Sequence, residues 1–407
     1  MLNETMHYNN GELMIDGVPA VEIMAACGTP VYVYSLNRLR TNVNRIRSAF
    51  PQAHIHYSAK ANANLTLLKT LIAMGVGVDT VSAGEIYKAL KAGCSPEHIV
   101  FAGVGKSPSE LRFAVEQGIG WFNVENVAEL EMLNALAAQA QHPVRVALRL
   151  NPELTASTHR HIATGHGGAK FGLTADIIQQ ILSQQHHYPH LTFAGLHIHI
   201  GSQLHETSAT TAAVEMAVEL MTPYPHMRTL NMGGGLPVAY QSGVVLPEYT
   251  EFADAVLPLL TDYAVMLEPG RSIVADAGVL LSEVLYLKEQ AGHLFTIIDA
   301  SMTELMRPAL YEAHHEIVPL KQAPNTITTT VVGPVCETTD VLGRGVALPR
   351  LAPGDAVALL TAGAYGMVMA SNYNARPRPP EVVVEGDTWR VVRLRETWDD
   401  LLRGEDA

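Results

Sequence analysis

Three cysteines, Cys27, Cys94 and Cys336, are all that 407 residues contain. No two form a C-x-x-C pair, so neither a thiolate metal cage nor a disulfide framework is expected. An isolated cysteine is by default a small core residue, and Cys27 and Cys94 are read that way. Long apolar runs are also missing, and no stretch is long enough to span a bilayer. The opening Met1-Leu2-Asn3-Glu4-Thr5-Met6-His7 has neither a basic nor an apolar segment. No secretory leader is therefore expected, and a reducing cytoplasm fits the cysteine usage. Basic residues are scarce, 27 Lys and Arg against 40 Asp and Glu, for a formal net charge of -13. That excess argues against general binding to nucleic acid or anionic membrane, although it allows a local basic pocket. Internal repeats and low-complexity tracts are absent.

What is present suits a compact protein: 48% hydrophobic and 16% charged residues. The length exceeds one ordinary core, so one large domain plus a second is expected. Residues 11–34 read as short strands and turns with a brief helix over Ala20–Cys27, and 37–50 as a helix. Eight strand-like runs follow, at 54–57, 76–80, 99–102, 121–124, 144–150, 192–200, 229–232 and 265–268. Helical patterns separate them, at 83–91, 108–116, 127–140, 174–184, 209–221 and 247–260, with Leu65, Leu68, Leu71 and Ile72 marking another. Such alternation implies parallel strands with right-handed crossovers, and eight units suggest a (β/α)8 TIM-type barrel. A doubly wound sheet is the rival, weakened because no G-x-G-x-x-G follows the first strand. Beyond Gly278 the pattern turns β-rich, at 279–287, 294–299, 326–332, 356–360, 381–384 and 389–394, with a Pro/Gly-bearing connection at 346–355. The expected division is N-terminal strands over 1–33, the barrel over 34–277 and a C-terminal β domain over 278–407, which the N-terminal strands join.

The reactive residues fall at the strand ends. Lys60, Asp79, Gly103, Glu125, Arg149, His199, Gly233–Gly235 and Glu268 all lie at or just past C-terminal ends, which form the active face of a barrel. Lys60 sits in His56-Tyr57-Ser58-Ala59-Lys60-Ala61-Asn62, where a strand gives way to a helix. A lysine there can form an imine with an aldehyde if its surroundings suppress the ammonium form. Taken alone, an exposed loop lysine is the simpler reading; the rest of the chain reverses it. Met232-Gly233-Gly234-Gly235-Leu236-Pro237 follows the seventh strand, and three glycines let backbone N–H groups approach a phosphate. His197-Ile198-His199-Ile200-Gly201-Ser202-Gln203 ends the sixth. Its histidines are either a metal pair or, as favoured, His199 is a flat ring against a planar cofactor, with Ser202 on a phosphate and His197 a satisfied barrel histidine. In Glu268-Pro269-Gly270-Arg271, Glu268 can keep a pyridine nitrogen protonated and Arg271 can clamp a carboxylate; a structural ion pair is the bland alternative. In the β-rich region, Gly333-Pro334-Val335-Cys336-Glu337 offers a proton donor and a site for an ammonium group. Arg307-Pro308-Ala309-Leu310-Tyr311 offers a second carboxylate clamp. Tyr365, in Ala362-Gly363-Ala364-Tyr365-Gly366-Met367, is either a cofactor contact or an ordinary half-buried tyrosine.

Together these segments, in this order from about Pro30 to near the C-terminus, resemble the diaminopimelate decarboxylases, of the alanine-racemase-like, fold-type III pyridoxal-phosphate class. Ser371-Asn372-Tyr373-Asn374-Ala375-Arg376-Pro377-Arg378-Pro379 also resembles that family. The resemblance implies pyridoxal 5'-phosphate held by Lys60 as an imine. Gly233, Gly234, Gly235, Ser202 and Gly270 would contact its phosphate, with Tyr365 nearby. His199 would stack on its ring and Glu268 would meet its nitrogen. Arg271, Arg307, Tyr311, Glu337 and Tyr365 would bind substrate, and Cys336 would return the proton. It implies decarboxylation of meso-2,6-diaminopimelate at its D centre to L-lysine, the last step of lysine biosynthesis. It further implies an obligate homodimer whose cysteine loop enters the partner's site; no bound metal is expected. The chain departs from the family in two places: Ile198 between the histidines, where Cys is commoner, and the pair Thr338-Thr339, where Ser-Gly often follows Cys-Glu. The rivals are a related decarboxylase of ornithine, arginine or another diamino acid, a racemase, a cofactor carrier without catalysis, and a barrel metallohydrolase.

Overall fold

The structure, a computed structural model, describes residues 1–140, 144–154 and 170–405. Contacts divide the chain into two units. One comprises Val43–Pro237 and Leu246–Ser272; the other comprises Met1–Asn42, Val238–Val245 and Ile273–Ala407.

The first unit is a closed barrel of eight strands, as the alternation of patterns implies. They are β1 (His54–Ser58), β2 (Gly77–Thr80), β3 (Ile99–Phe101), β4 (Trp121–Val124), β5 (Val144–Leu150), β6 (Leu191–Ile198), β7 (Thr229–Asn231) and β8 (Ala264–Leu267). Every neighbouring pair is parallel, and β8 closes onto β1 with Met266 opposite His54 and Leu267 opposite Ile55. The strands are short because a barrel interior holds only a few layers of side chains. Nearly all their residues are buried, the mark of parallel strands covered by helices.

The helices begin where local chemistry directs. Asn64 accepts the Thr66 N–H ahead of Leu65–Ala73, and Ser82 accepts the Glu85 N–H ahead of Ala83–Lys91. Ser107 and Glu110 form a reciprocal capping box at Pro108–Glu116. The expected helix over 247–260 is instead Tyr249–Val256 followed by a 3-10 turn, Leu257–Leu259. Pro258 lacks the N–H that would continue the α-helical ladder.

The second unit is β-rich, as read from the sequence. Its main sheet runs Val341–Pro349, Thr326–Val332, His293–Ile298, Gly278–Gln290, Val31–Ser35, Glu381–Glu385 and Thr388–Arg393. Ala356–Leu359 also pairs with Gly278–Gln290, and Ile317–Pro319 pairs with Ala356–Leu359. The N-terminal Val31–Ser35 lies between two C-terminal strands, antiparallel to Gly278–Gln290 and parallel to Glu381–Glu385. A small sheet, Met6–Asn9, Glu12–Ile15 and Val18–Pro19, adds Leu13, Ile15 and Val18 to a core with Val31, Val279, Leu281 and Val382. One expectation needs correction: 346–355 is not all connection. Val346 to Pro349 complete a strand, with Leu348 opposite Ile327 and buried. The Pro and Gly residues that suggested a loop terminate this strand, while its Val-Ala-Leu run carries the pairing.

Candidate active site

Lys60 lies in a 3-10 turn, Ala59–Ala61, directly after β1. Its flanking alanines are buried, while its own side chain is 39% exposed. The turn is braced from behind. The Tyr57 hydroxyl donates to the Asn62 carbonyl at 2.9 Å, and the Asn62 side chain accepts the Asn64 N–H at 3.0 Å. The amine is therefore held at the strand tip by a backbone with little freedom.

Beside it stands Glu268, just past β8 and buried. Its Oε1 accepts from Asn123 Nδ2 at 2.9 Å and Asn231 Nδ2 at 2.6 Å; its Oε2 lies 3.1 Å from His197 Nε2. Burial alone raises its pKa, but His197, Lys60 and the Asn231 amide outweigh that and hold it well below the usual carboxylate range. A carboxylate has about four lone-pair sites, so a donor can still be accepted there. His197 is thus more than a packed barrel histidine: it orients Glu268, while its Nδ1 has no partner among the described residues.

His199 follows β6, and its Nδ1 accepts the Gly234 N–H at 3.1 Å. The ring proton of neutral His199 therefore resides on Nε2. The side chain is partly open, yet desolvation of the ring, then the charges of Lys60 and Arg149, push its pKa well below the usual value. A flat neutral ring results, suited to stacking.

Gly233 and Gly235 adopt positive φ, +67° and +114°. A Cβ on Gly233 would lie 2.6 Å from the Ile198 carbonyl, and one on Gly234 2.7 Å from the Glu268 carbonyl. The triplet thus wedges between the ends of β6 and β8, and only glycine fits. Two of its N–H groups are engaged internally: Gly233 with Asn231 Oδ1 at 2.9 Å and Gly234 with His199. Gly270 also packs closely, with a Cβ 3.0 Å from those of Ser58 and Ala61. Arg271 Nε donates to Ser202 Oγ at 3.1 Å.

Two features rest on partners that the sequence does not show. Asp79, buried at the end of β2, has its Oδ2 2.5 Å from Ser58 Oγ and 3.8 Å from Lys60 Nζ. A buried charge network also runs behind the strand ends. Lys106 reaches Glu129 at 2.6 Å, Glu129 accepts the Glu125 N–H at 3.0 Å, and Arg149 donates to Glu125 at 2.6 Å. The strand-end positions of Asp79, Glu125 and Arg149 were visible; Lys106 and Glu129 were not singled out, and the partners come from different elements.

The structure brings Lys60, His199, Ser202, Gly233, Gly234, Gly235, Glu268, Gly270 and Arg271 together at the strand tips of one barrel. The remaining candidates belong to the β-rich unit. Arg307 is buried there, its Nη1 2.8 Å from His315 Nε2 and its guanidinium 4.4 Å over the Tyr240 ring. His315 Nδ1 donates to the Leu360 carbonyl at 2.9 Å, leaving Nε2 to accept from Arg307. Burial and then Arg307 push the His315 pKa well below the usual value, which keeps it neutral. Tyr311 ends the same short helix and is half-buried. Cys336 and Glu337 are exposed on a loop braced by Asp340, whose carboxylate accepts the Val335 N–H at 2.9 Å and the Met302 N–H at 2.7 Å. Tyr365 is half-buried at φ +57°, an uncommon backbone state for a bulky residue.

Among the described residues, no group of three or more His, Cys, Asp and Glu side chains could hold a metal ion. The barrel residues do fit a pyridoxal group. A buried ionised carboxylate with a spare lone pair, a neutral flat ring, a glycine cradle and a lysine amine are what its nitrogen, ring, phosphate and aldehyde require.

Comparison with known proteins agrees. The family model for the pyridoxal-binding domain of pyridoxal-dependent decarboxylases matches residues 36–275. The chain is 40% identical to a diaminopimelate decarboxylase of Aquifex aeolicus, over 98% of this chain and 97% of that one. The crystal structure of the diaminopimelate decarboxylase from M. jannaschi superposes with TM-score 0.95 at 35% identity, covering 100% and 98%. A diaminopimelate decarboxylase from Helicobacter pylori complexed with L-lysine superposes with TM-score 0.90 at 36% identity, covering 95% and 99%.

Proposed function

The chain belongs to the pyridoxal-dependent decarboxylases, in the diaminopimelate decarboxylase family, and on that premise we propose that it converts meso-2,6-diaminopimelate to L-lysine and carbon dioxide. The observation that carries this reading is Glu268, ionised and amide-bound on the barrel face that bears Lys60 and the glycine triplet. When bound, pyridoxal phosphate supplies an aldehyde for a covalent link to Lys60 and a ring that accepts the electron pair left by a departing carboxylate. Glu268 keeps a proton on the ring nitrogen. His199 covers one ring face, and its own hydrogen bond to Gly234 fixes its tilt. Gly235, Ser202 and Gly270 hold the phosphate, with close approach allowed by Gly233 and Gly234, whose own N–H groups donate to Asn231 and His199.

Arg271, Arg307 and Tyr311 take substrate carboxylates, and Glu337 takes an ammonium group. Arg307 suits that task because His315 and Tyr240 orient its planar fork. Such fixed orientation selects which carbon reacts and contributes several kcal/mol to barrier reduction, on the order of what positioning supplies elsewhere. Cys336 delivers the proton that replaces the lost carboxylate. Its exposure supports a homodimer in which the cysteine loop completes a partner's site. Residues 34–277 serve as the cofactor domain, and 278–407 with 1–33 as the β domain. No helix among the described residues is long and apolar enough to cross a membrane. A cytoplasmic location in amino-acid biosynthesis suits the substrate.

The test is carbon dioxide release by the purified protein with diaminopimelate isomers, ornithine, arginine and lysine. Release from the meso isomer, with L-lysine as product, is expected. Release from ornithine, arginine or lysine alone would replace this assignment with a decarboxylase of other diamino acids.

A further inference from the structure

Ser58 sits between two oxygens: Asp79 Oδ2 at 2.5 Å and the Glu268 backbone carbonyl at 3.1 Å. A hydroxyl has one proton to give, and a carbonyl can only accept. Both contacts become hydrogen bonds if Asp79 carries a proton: Asp79 donates to Ser58, and Ser58 donates to the carbonyl. With Asp79 ionised, one of the two contacts is left without a proton. The second carboxylate oxygen points the same way. Asp79 Oδ1 is buried with no hydrogen-bond partner among the described residues. An ionised oxygen so placed is costly, whereas the carbonyl oxygen of a neutral acid tolerates it better. The groups that face Asp79 are Ser58 from β1, Lys60 from the turn after β1, Glu268 beyond β8, and Glu85 from the helix after β2. Two carboxylates in one buried layer do not readily both ionise, and Glu268, with its amide donors and His197, is the one that does. Burial first, then Glu268, push Asp79 up to about 8.

We propose that Asp79 is kept as a neutral carboxylic acid and is the proton source for Lys60 when that amine leaves the cofactor. Oδ2 lies 3.8 Å from Lys60 Nζ, a gap that small side-chain movement closes. In the step, the Asp79 O–H bond breaks and an N–H bond forms on the departing neutral amine. A carboxylate and an ammonium remain side by side. The same proton returns when Lys60 reattaches. Ser58 positions the acid and lends it no proton of its own. The transfer rests on the proposed covalent link at Lys60; the protonation state of Asp79 does not.

Two measurements on the full-length, cofactor-loaded protein test this. Infrared difference spectra between wild type and Asp79→Asn, at mildly acid pH, should show the carbonyl band of a protonated carboxylic acid lost in the variant. In wild type that band should bleach only at a pH well above the ordinary carboxylate range, since burial and then Glu268 raise Asp79. Superimposable spectra in that region would overturn the proposal. If Asp79→Asn does not fold, Ser58→Ala serves: its acid band should persist and move to higher frequency as the hydrogen bond is lost, and an unmoved band contradicts the geometry. For the transfer, the rate of Lys60 release in a single turnover should fall in wild type across the pH range where the band bleaches. Asp79→Asn should be slow and flat over that range. An unaltered pH profile in the variant would overturn the proton-source role. Because the infrared band needs no turnover, its presence in a protein that releases no carbon dioxide would fault the proposed reaction and leave the acid state of Asp79 standing.

Discussion

In the proposed reaction Glu268 is the residue on which the chemistry turns, because a charge at a pyridine nitrogen decides whether the ring accepts electrons. Glu268→Gln should leave cofactor binding measurable while lowering kcat about 10²-fold or more, by analogy with loss of one preorganised electrostatic partner. Absorbance titration and steady-state rates check this together, and an unchanged kcat would contradict the role. Cys336→Ala should lower kcat by about 10²–10⁴, the usual worth of a positioned general acid, with the bound-cofactor spectrum unchanged. Asp79 gives a pH signature in stability. Its folded value is raised to about 8, so the native chain holds a proton that the unfolded chain has lost above the ordinary carboxylate range. Stability from this site is therefore full below that range and is lost as pH rises through about 8. Thermal midpoints should fall with pH over this window in wild type and fall less in Asp79→Asn; parallel curves would contradict it. At this scale the sequence identifies residue types at strand tips, such as Lys60, His199 and Glu268. It does not identify partners from other strands: Asn123, Asn231 and His197 meet at Glu268 only because β4, β6, β7 and β8 close into one ring.

Among the elements, the turn after β7 is tightly constrained. Gly234→Ala would place a methyl 2.7 Å from the Glu268 carbonyl, against backbone that has no side-chain freedom to yield. A cost of about 1–3 kcal/mol is expected from such overpacking, together with weaker cofactor retention. Gly93→Ala is the control for local effects, since a Cβ there meets nothing within 4 Å, though its φ of +92° carries backbone strain of its own. Thermal melts and cofactor dissociation rates separate the two: Gly93→Ala should lose stability without losing cofactor. Equal cofactor loss in both would remove the special role of the triplet. Strands and helices of the barrel were legible because buried parallel strands are continuous apolar runs and capped helices carry side-chain signals. The strand Val341–Pro349 was not legible. Its pairing with Thr326–Val332 lies across a loop, and the Pro and Gly residues near it read locally as a connection.

For the molecule as a whole, the proposed shared site makes a test of pairs: under that reading two inactive chains complement each other. Lys60→Ala and Cys336→Ala should each be nearly inactive, yet mixing them under subunit exchange should restore about a quarter of wild-type activity, because random pairing in a symmetric dimer leaves one intact site in half the dimers. No recovery in mixtures shown to exchange would mean that each chain uses its own cysteine. The joining of Val31–Ser35 to the C-terminal sheet was anticipated from the β-rich character of both ends. The inclusion of Val238–Val245 in that unit was not, since nothing in its composition ties it there. The most direct measurement is borohydride reduction of the cofactor-loaded protein followed by peptide mass analysis. A pyridoxyl-phosphate mass increment on the peptide containing Lys60, absent from Lys60→Ala, is the expected result; the increment on another lysine, or on none, would contradict the account.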